Sequence, residues 1–583
     1  MGPWVYTCRI AANLVVVAGQ GKANYDSPTC MTDEKTQLPS MALNWPSPWS
    51  FGAGLIAALV VMPILSVLWI AANPVENIWP HLIATTLPRY LGNTLVVMVS
   101  VAIAATLVGT VTAWLVVMYR FPGRRWLEWA LLMPLAVPGF LGAYALVDFL
   151  DFSGPVQTAL RGVFGWQSAQ DYLFPDIRSR SGAIFVLAAS LYPYVYLLAR
   201  AGFREQSGAA HDVARALGAG GFKRFWRVGL PLARPAIVAG TAIVMMETVN
   251  DFGTVDYFGV QTLTTGVFSV WLEAGNAGGA AQIATLILAL IFALVAIEKI
   301  SRRKARFHRM ARQEREAAAT PLLGASGLFA SVMCFVPFLA GFVLPVAVMS
   351  SHAITRPDRW FAPGLLEALT NTVLVGGVAA IVTVAGAIFM VYGVRLSGRI
   401  LPRMFLPVTT IGYAAPGAVL AIGLLIPLAA LDNLVADGVL ALTGWDPGLI
   451  LTGGTVVLLY AYSVRFFAIG QGAADAAMGR VAPSLPLAAR TLGHSAGGAL
   501  TRVYMPLIRG SVAAALLLVF VDCVKELPAT LLLRPFNFNT LATRSYEQAS
   551  LERIADAAPS ALLIIFVSLV AVIFVARTTM RQR

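Results

Sequence analysis

Charge is what this chain has least of. Of 583 residues, 12% are Asp, Glu, Lys or Arg and 58% are hydrophobic. A soluble domain carries roughly 25% charged residues. A soluble chain of this length splits into several domains, each with its own polar surface, and no such surface is encoded here. Cysteine is equally scarce, at four residues. Cys8 and Cys30 lie in a polar N-terminal stretch, and Cys334 and Cys523 lie inside apolar runs. With no C-x-x-C pair or Cys/His cluster, neither a disulfide framework nor a thiolate metal centre has support. His81, His211, His308, His352 and His494 are scattered without metal-ligand spacing. His211 and His494 read as surface or docking residues of two polar loops. No Ser/His/Asp or Cys/His set suggests catalysis. The motif G-x-x-x-x-G-K-[ST] is absent, so nucleotide binding through a P-loop is not expected. The expectation is a non-enzymatic chain with no bound cofactor and no metal site.

What is present is length of apolar run. Such runs fall at about 51–72, 93–119, 127–149, 183–203, 236–258 and 280–298, then at about 326–350, 371–394, 401–430, 450–472, 510–533 and 559–576. Each is long enough for a helix to cross a ~30 Å hydrocarbon core. The fold class is therefore all-α and polytopic, with about 12 transmembrane helices embedded in a lipid bilayer. Pro134 and Pro138, and Pro407 and Pro416, mark two runs as kinked or broken. The net charge of +13 resides in a few loops, which reads as a topology signal and not as a nucleic-acid surface. Arg120, Arg124 and Arg125, the loop from Arg204 to Arg227, the stretch Lys299 to Arg315, then Arg395, Arg399 and Arg403, and the C-terminal Arg577, Arg581 and Arg583 all fall on one side. The alternate loops are sparse in Lys and Arg, so both termini are expected in the cytoplasm.

The chain is a tandem duplication. Asn93-Thr94 and Asn371-Thr372 open corresponding spans, and Pro138-Gly139 and Pro416-Gly417 each follow 45 residues later. Both landmarks recur at an offset of 278 residues. Two halves of about six spans with the same orientation imply a pseudo-two-fold axis along the membrane normal. The expected organisation is an N-terminal extension over 1–45, a first half over 46–300, a basic cytoplasmic linker over 301–320 and a second half over 321–583. The extension carries one short apolar piece, Ile10 to Ala18, a poor match to a signal peptide. With Met31 and Met41 ahead of the first span, it reads as a disordered leader or a mis-set start.

A second repeat sits in two basic loops. Asp212-Val213-Ala214 precedes Gly218, and Leu230-Pro231 follows; Ala488-Ala489 precedes Gly493, and Met505-Pro506 follows. In both copies the proline is thirteen positions after the glycine. Glycine permits a left-handed turn at a helix end, and proline ends or redirects the next segment. Each copy should form two short angled helices at the membrane surface, exposing small and apolar residues to a partner groove. The pattern resembles the cytoplasmic loop of ABC importer permeases. Asp212, Ala214, Gly218, Val228, Leu230 and Pro231 match it in the first copy, with Val213 for an alanine. Ala488, Ala489, Gly493, Val503 and Pro506 match it in the second, with Leu487 for the acidic residue and Met505 for a leucine. The resemblance implies a type I permease fold with both halves fused, in the bacterial inner membrane. It also implies partners: ABC ATPase subunits, two copies, which hydrolyse ATP, and a periplasmic solute-binding protein. The stretches Glu247 to Val260 and Lys525 to Asn537 look like those of fused ferric-iron permeases; thiamine, phosphonate and polyamine permeases are built similarly.

Ionisable groups inside a membrane default to a functional hypothesis. Glu247, Asn250, Asp251, Lys525 and Glu526 are candidates for the translocation path, since ferric ion prefers hard oxygen ligands. The alternative is that these groups cap span ends or pair locally, as Lys525 with Asp522 at i, i+3. Pro138-Gly139 and Pro416-Gly417 read either as hinges or as close-packing points. Two rival functions stand beside the importer: a six-plus-six secondary transporter, which needs no glycine-proline docking loops, and a passive channel, for which no selectivity-filter signature exists.

Overall fold

The computed structural model describes residues 48–303, 319–397, 400–410, 412 and 415–581. The N-terminal extension and most of the basic linker lie outside these residues. Among the described residues, eleven helices are long and apolar enough to cross a membrane, or twelve if one bent pair counts as a span. In the first half they are α1 (Pro48–Ala72), α2 (Leu87–Met118), the bent pair α3 (Arg124–Ala136) and α4 (Gly139–Phe164), and α5 (Arg180–Arg204). A short helix α6 (Gly208–Ala216) follows, then α7 (Gly221–Asn250) and α8 (Ala277–Ile300). The second half repeats them as α9 (Ala325–Thr355), α10 (Leu365–Leu396), α11 (Gly417–Thr443) and α12 (Val456–Gly479). The short helix α13 (Ser484–Thr491), α14 (Ala496–Val524) and α15 (Ile554–Phe574) complete it. Helices are forced here because lipid offers no partner for a backbone N–H or C=O. A two-residue parallel pairing, Tyr119–Arg120 with Thr320–Pro321, is the only sheet among the described residues.

Two runs break at the prolines that mark them, and two more divide where a single span was expected. α3 and α4 meet at 97° across Val137-Pro138, where Pro138 lacks the N–H that would continue the helix. Run 401–430 splits into a helix Ile400–Thr409 and α11, which extends on to Thr443. Runs 236–258 and 510–533 are not single helices either. α7 ends at Asn250 and restarts as Gly253–Tyr257; α14 ends at Val524 and restarts as Pro528–Leu533.

The duplication is legible at the level of single hydrogen bonds. Thr94 Oγ1 accepts from the Leu263 N–H at 2.9 Å, and Thr372 Oγ1 accepts from the Leu541 N–H at 2.8 Å. Asn93 Nδ2 donates to the Gln261 carbonyl at 2.8 Å, and Asn371 Nδ2 to the Asn539 carbonyl at 3.1 Å. The repeated Asn-Thr pair thus pins α2 and α10 to the turn that follows the fifth span of each half. That turn is itself built twice, with reciprocal Thr262/Thr265 and Thr540/Thr543 capping boxes.

The halves interpenetrate. α1 contributes Ala53, Ala57, Val60, Ile64 and Val67 to a core shared with Ala387, Met390, Ala418 and Ile422 of the second half. Reciprocally, Ala330, Cys334 and Met349 of α9, with Ala557, Ala561 and Ile564 of α15, join the core of α2, α4 and α5. Their opposite faces carry exposed apolar side chains such as Leu55, Leu59 and Trp69 on α1 and Leu328, Phe329 and Val332 on α9, as lipid contact requires. Glycine allows these helices to approach within backbone contact. A Cβ on Gly423 would lie 2.1 Å from the Pro63 carbonyl oxygen, and one on Gly341 would lie 2.3 Å from that of Ala189. Gly423→Ala and Gly341→Ala should each lower the thermal unfolding midpoint of the detergent-solubilised protein by several degrees, at about 2–4 °C per kcal/mol. Gly377→Ala, whose Cβ meets nothing within 4 Å, is the control. Equal midpoints for all three would refute the clasp.

Candidate functional site

The second helix of each broken pair and the last turn of each fifth span converge on one cavity. It measures about 170 Å³ and is lined by Glu247, Asn250 and Asp251 from the first half and by Arg465, Asp522, Lys525 and Glu526 from the second. All five candidate path residues are therefore brought together, and local pairing occurs as well. Asp251 caps the helix Gly253–Tyr257: its Oδ1 accepts from the Thr254 N–H at 3.0 Å and the Val255 N–H at 3.2 Å, and its Oδ2 accepts from Thr254 Oγ1 at 2.9 Å. Glu526 occupies the equivalent place. Its Oε1 accepts from the Ala529 N–H at 3.1 Å and its Oε2 pairs with Arg465 Nε at 3.0 Å. Lys525 Nζ lies 3.2 Å from Asp522 Oδ1 and donates across to the Leu135 carbonyl of the first half at 3.4 Å. The Asn250 side chain is buried, and its Oδ1 has no hydrogen-bond partner.

The Pro-Gly landmarks belong to this site as close-packing points. Pro138 and Pro416 precede α4 and α11 in extended backbone. A Cβ on Gly417 would lie 2.4 Å from Glu526 Oε1; one on Gly139 would lie 2.7 Å from Thr254 Oγ1 and 3.4 Å from Asp251 Oδ2. Arg465 escaped the sequence reading. Its signal was there: a lone arginine inside the apolar run 450–472, which in a membrane demands a partner. Glu128 escaped likewise; it forms ion pairs with Arg200 and Arg204 from α5. Among the described residues, no group of three or more His, Cys, Asp or Glu side chains is arranged to hold a metal ion. The cavity is charged without being a chelator.

The two loops share one construction. α6 ends in Gly218 at φ 76°, and α13 ends in Gly493 at φ 86°. The Gly218 N–H bonds to the Arg215 carbonyl and the Ala219 N–H to that of Ala214, both at 2.9 Å; Gly493 to Arg490 and His494 to Ala489 repeat this at 3.1 Å. This paired closure needs a left-handed residue at the glycine. Nothing lies within 4 Å of a Cβ at either position, so the φ angle and not space selects glycine. Leu217 and Leu492, just before the glycines, are 83% and 80% exposed. Asp212 and Leu487 are exposed, Ala214 half-buried and Ala489 buried.

The prolines do not stop the second segment, contrary to the two-short-helix expectation. A π turn at Phe225–Gly229 precedes Leu230-Pro231, and another at Leu500–Tyr504 precedes Met505-Pro506. In each, the residue before the proline donates its N–H to the carbonyl five positions back, Leu230 to Phe225 and Met505 to Leu500. The wider turn absorbs a position that has no N–H, so α7 and α14 run on unbroken through Val228 and Val503. His211 is also corrected: it is not a surface residue. It is buried, its Nε2 lies 2.8 Å from Gln206 Oε1, and its ring meets Trp114 at 5.9 Å. Burial, with Arg224 and Arg215 nearby, pulls its imidazole below the usual range and keeps it neutral at pH 7. His494 is half-buried and contacts Arg502. The second loop is held instead by Tyr392, whose hydroxyl donates to the Ala496 carbonyl at 2.6 Å.

Residues 105–307, which span α2 through this first loop to α8, match the family described as binding-protein-dependent transport system inner membrane component. Over that segment the chain is similar to the inner-membrane permeases of binding-protein-dependent transport systems, and the second half repeats the same helical order. The chain is 24% identical over 487 residues to an Fe(3+)-transport system permease protein of Haemophilus influenzae, covering 82% of this chain and 87% of that one. It is 27% identical over 207 residues to the molybdenum transport system permease protein ModB of Escherichia coli, covering 34% of this chain and 87% of that one. It is 29% identical over 229 residues to the sulfate transport system permease protein CysT of Synechocystis, covering 37% and 76%.

Breaking the Arg465–Glu526 pair from either side leaves a buried charge uncompensated, typically at about 3–5 kcal/mol. Glu526→Ala and Arg465→Ala should each destabilise strongly, and the double variant should lose clearly less than their sum. Additive losses in a denaturant titration would show that the two groups do not act as a pair.

Proposed function

We propose that this chain is the membrane-spanning subunit of an ATP-driven importer for ferric iron. The observation that carries the solute is the cavity between the halves. Four carboxylates, Glu247, Asp251, Asp522 and Glu526, face two cationic groups, Arg465 and Lys525, for a formal charge of −2. In a low-dielectric site that imbalance attracts a cation and repels an oxyanion such as sulfate. Carboxylate and amide oxygens suit a hard ferric ion in transit. The ferric-iron relative also spans both halves of this chain, whereas the molybdenum and sulfate relatives match about one half's length.

In this reading the solute arrives on a periplasmic binding protein and crosses between the halves, passing Glu247, Asn250, Asp251, Lys525 and Glu526. Both termini and both glycine loops face the cytoplasm of a bacterial inner membrane, consistent with the Lys and Arg bias. Two ATPase subunits grip the loops. One groove receives the segment Asp212, Ala214, Gly218, Val228, Leu230 and Pro231; the other receives Ala488, Ala489, Gly493, Val503 and Pro506. Exposed Leu217 and Leu492 supply apolar anchors for a helix-in-groove contact. This chain binds no cofactor, and ATP is consumed by the partner.

Two measurements test this. An ATPase should co-purify with the chain, and Gly218→Val or Gly493→Val, which forbid the left-handed turn, should reduce its retention about tenfold or more, equivalent to about 1.4 kcal/mol. In proteoliposomes with the ATPase and a ferric-loaded binding protein, radioactive iron should enter only with ATP. Uptake driven by an ion gradient without ATP would favour the secondary transporter. ATP-driven uptake of sulfate, molybdate or a polyamine in place of iron would overturn the solute assignment.

A further inference from the structure

The cavity has a neighbour. A second cavity of about 280 Å³, largely apolar in its walls, is lined by Glu128, Trp129, Arg200, Leu518 and Val521. Leu518 and Val521 lie two turns and one turn before Lys525 on α14, so this cavity sits on the glycine-loop side of the charged one. Four residues line both: Leu135, Tyr194, Asp522 and Lys525. They form the wall between the cavities, with Leu135 and Tyr194 from the first half and Asp522 and Lys525 from the second. The charged contact across this wall is Lys525 Nζ to the Leu135 carbonyl, at 3.4 Å. Asp522, in the last turn of α14 just before Lys525, holds the ammonium at 3.2 Å. The Leu135 carbonyl belongs to the short 3-10 turn Met133–Ala136 at the broken span, so its oxygen is offered to the interior and not consumed by a long helix.

Resting on the importer reading, we propose that Lys525 is a tethered cation that seals the path between the two cavities. An acidic cavity collects cations from the outer side indiscriminately, and a membrane cannot tolerate an open route for sodium ions or protons. A fixed positive charge at the partition raises an electrostatic barrier to any small cation. Lysine suits such a seal because its ammonium is a compact point charge on a flexible stem, able to swing aside without repacking the helix. Asp522 keeps it in place when the path is shut. When the halves separate, the Leu135 carbonyl moves away from Lys525. The lysine then retracts onto Asp522 and leaves the polar lining, including the unpartnered Asn250 Oδ1, to the transported ion. An ordinary i, i+3 surface pair would do none of this, because it would not span the two halves at the shared wall of two cavities.

The test uses the whole transporter, permease with ATPase and binding protein, in liposomes holding a sodium-sensitive dye. Lys525→Met keeps the length of the stem and removes the charge. Without ATP it should admit sodium about tenfold faster than wild type, the change expected for about 1.4 kcal/mol of lost barrier, while Lys525→Arg should stay tight. In Lys525→Cys, aminoethyl methanethiosulfonate transfers an aminoethylthio group to the thiolate with release of methanesulfinate. The new disulfide carries an ammonium near the original position, and the leak should close. The same reagent on wild type controls for the four native cysteines, Cys8, Cys30, Cys334 and Cys523. If Lys525→Met is as tight as wild type, or if the restored ammonium leaves the Cys variant leaking, the seal is refuted. Iron uptake by wild type in the same vesicles separates this from the parent reading. Uptake without a variant leak rejects only the seal, and absence of uptake rejects the importer assignment. Should the Met variant not assemble, Asp522→Asn, which loosens the lysine without removing it, must still raise the leak for the proposal to stand.

Discussion

A carboxylate placed at the end of a membrane helix has to be satisfied by the protein, and this requirement organises the centre of the molecule. Asp251 solves it with the amides and hydroxyl of the next turn. Glu526 uses one amide and the Arg465 guanidinium. Each solution needs the following chain to turn back as a short helix, which is why α7 and α14 stop before their apolar runs do. Each also needs a neighbour without a side chain, which Gly139 and Gly417 provide at the start of α4 and α11. The bend of the third span, the paired Pro-Gly dipeptides and the charged cavity between the halves are consequences of one local demand for hydrogen-bond donors.

The same duplicated framework is used unequally. The first half meets its carboxylate with neutral groups, the second with a buried ion pair. The first loop is anchored by a buried neutral histidine bridged through Gln206, whose amide also reaches the Gly229 carbonyl at 2.8 Å. The second is anchored by a tyrosine on α10. Backbone geometry at the glycines is nearly identical, while the side chains that hold it differ. Duplication has preserved the conformation and let the supporting contacts drift.

Much of this was legible in the sequence because membrane constraints are strict. Span count, the tandem repeat and both glycine turns follow from apolar length, the 278-residue offset and the need for φ above zero. What was not legible falls into two kinds. The π turns before Pro231 and Pro506 reverse the usual meaning of proline, since a wider turn absorbs a position without an N–H; nothing in Phe225–Gly229 or Leu500–Tyr504 announces it. Interpenetration of α1 and α9 with the opposite half is a tertiary choice, visible only in contacts such as Gly423 on Pro63. Arg465 and Glu128 are a different case, because a lone charge inside an apolar run is a readable signal of a buried partner. His211 was misread for a physical reason as well: a polar residue in a polar loop gives no hint that an aromatic cluster around Trp114 will enclose it.

The uninterrupted helix through each π turn has a mechanical implication. α7 and α14 are single rods of about thirty residues, roughly 45 Å at 1.5 Å per residue. One end of each carries the loop, and the other carries Glu247 or Asp522 at the cavity. A hinge at the proline would have let the loop tilt while the cavity stayed still. A continuous helix would carry a load applied at one surface towards the carboxylates as displacement. The π turn is then less a defect in a helix than the means by which a proline is carried inside a lever.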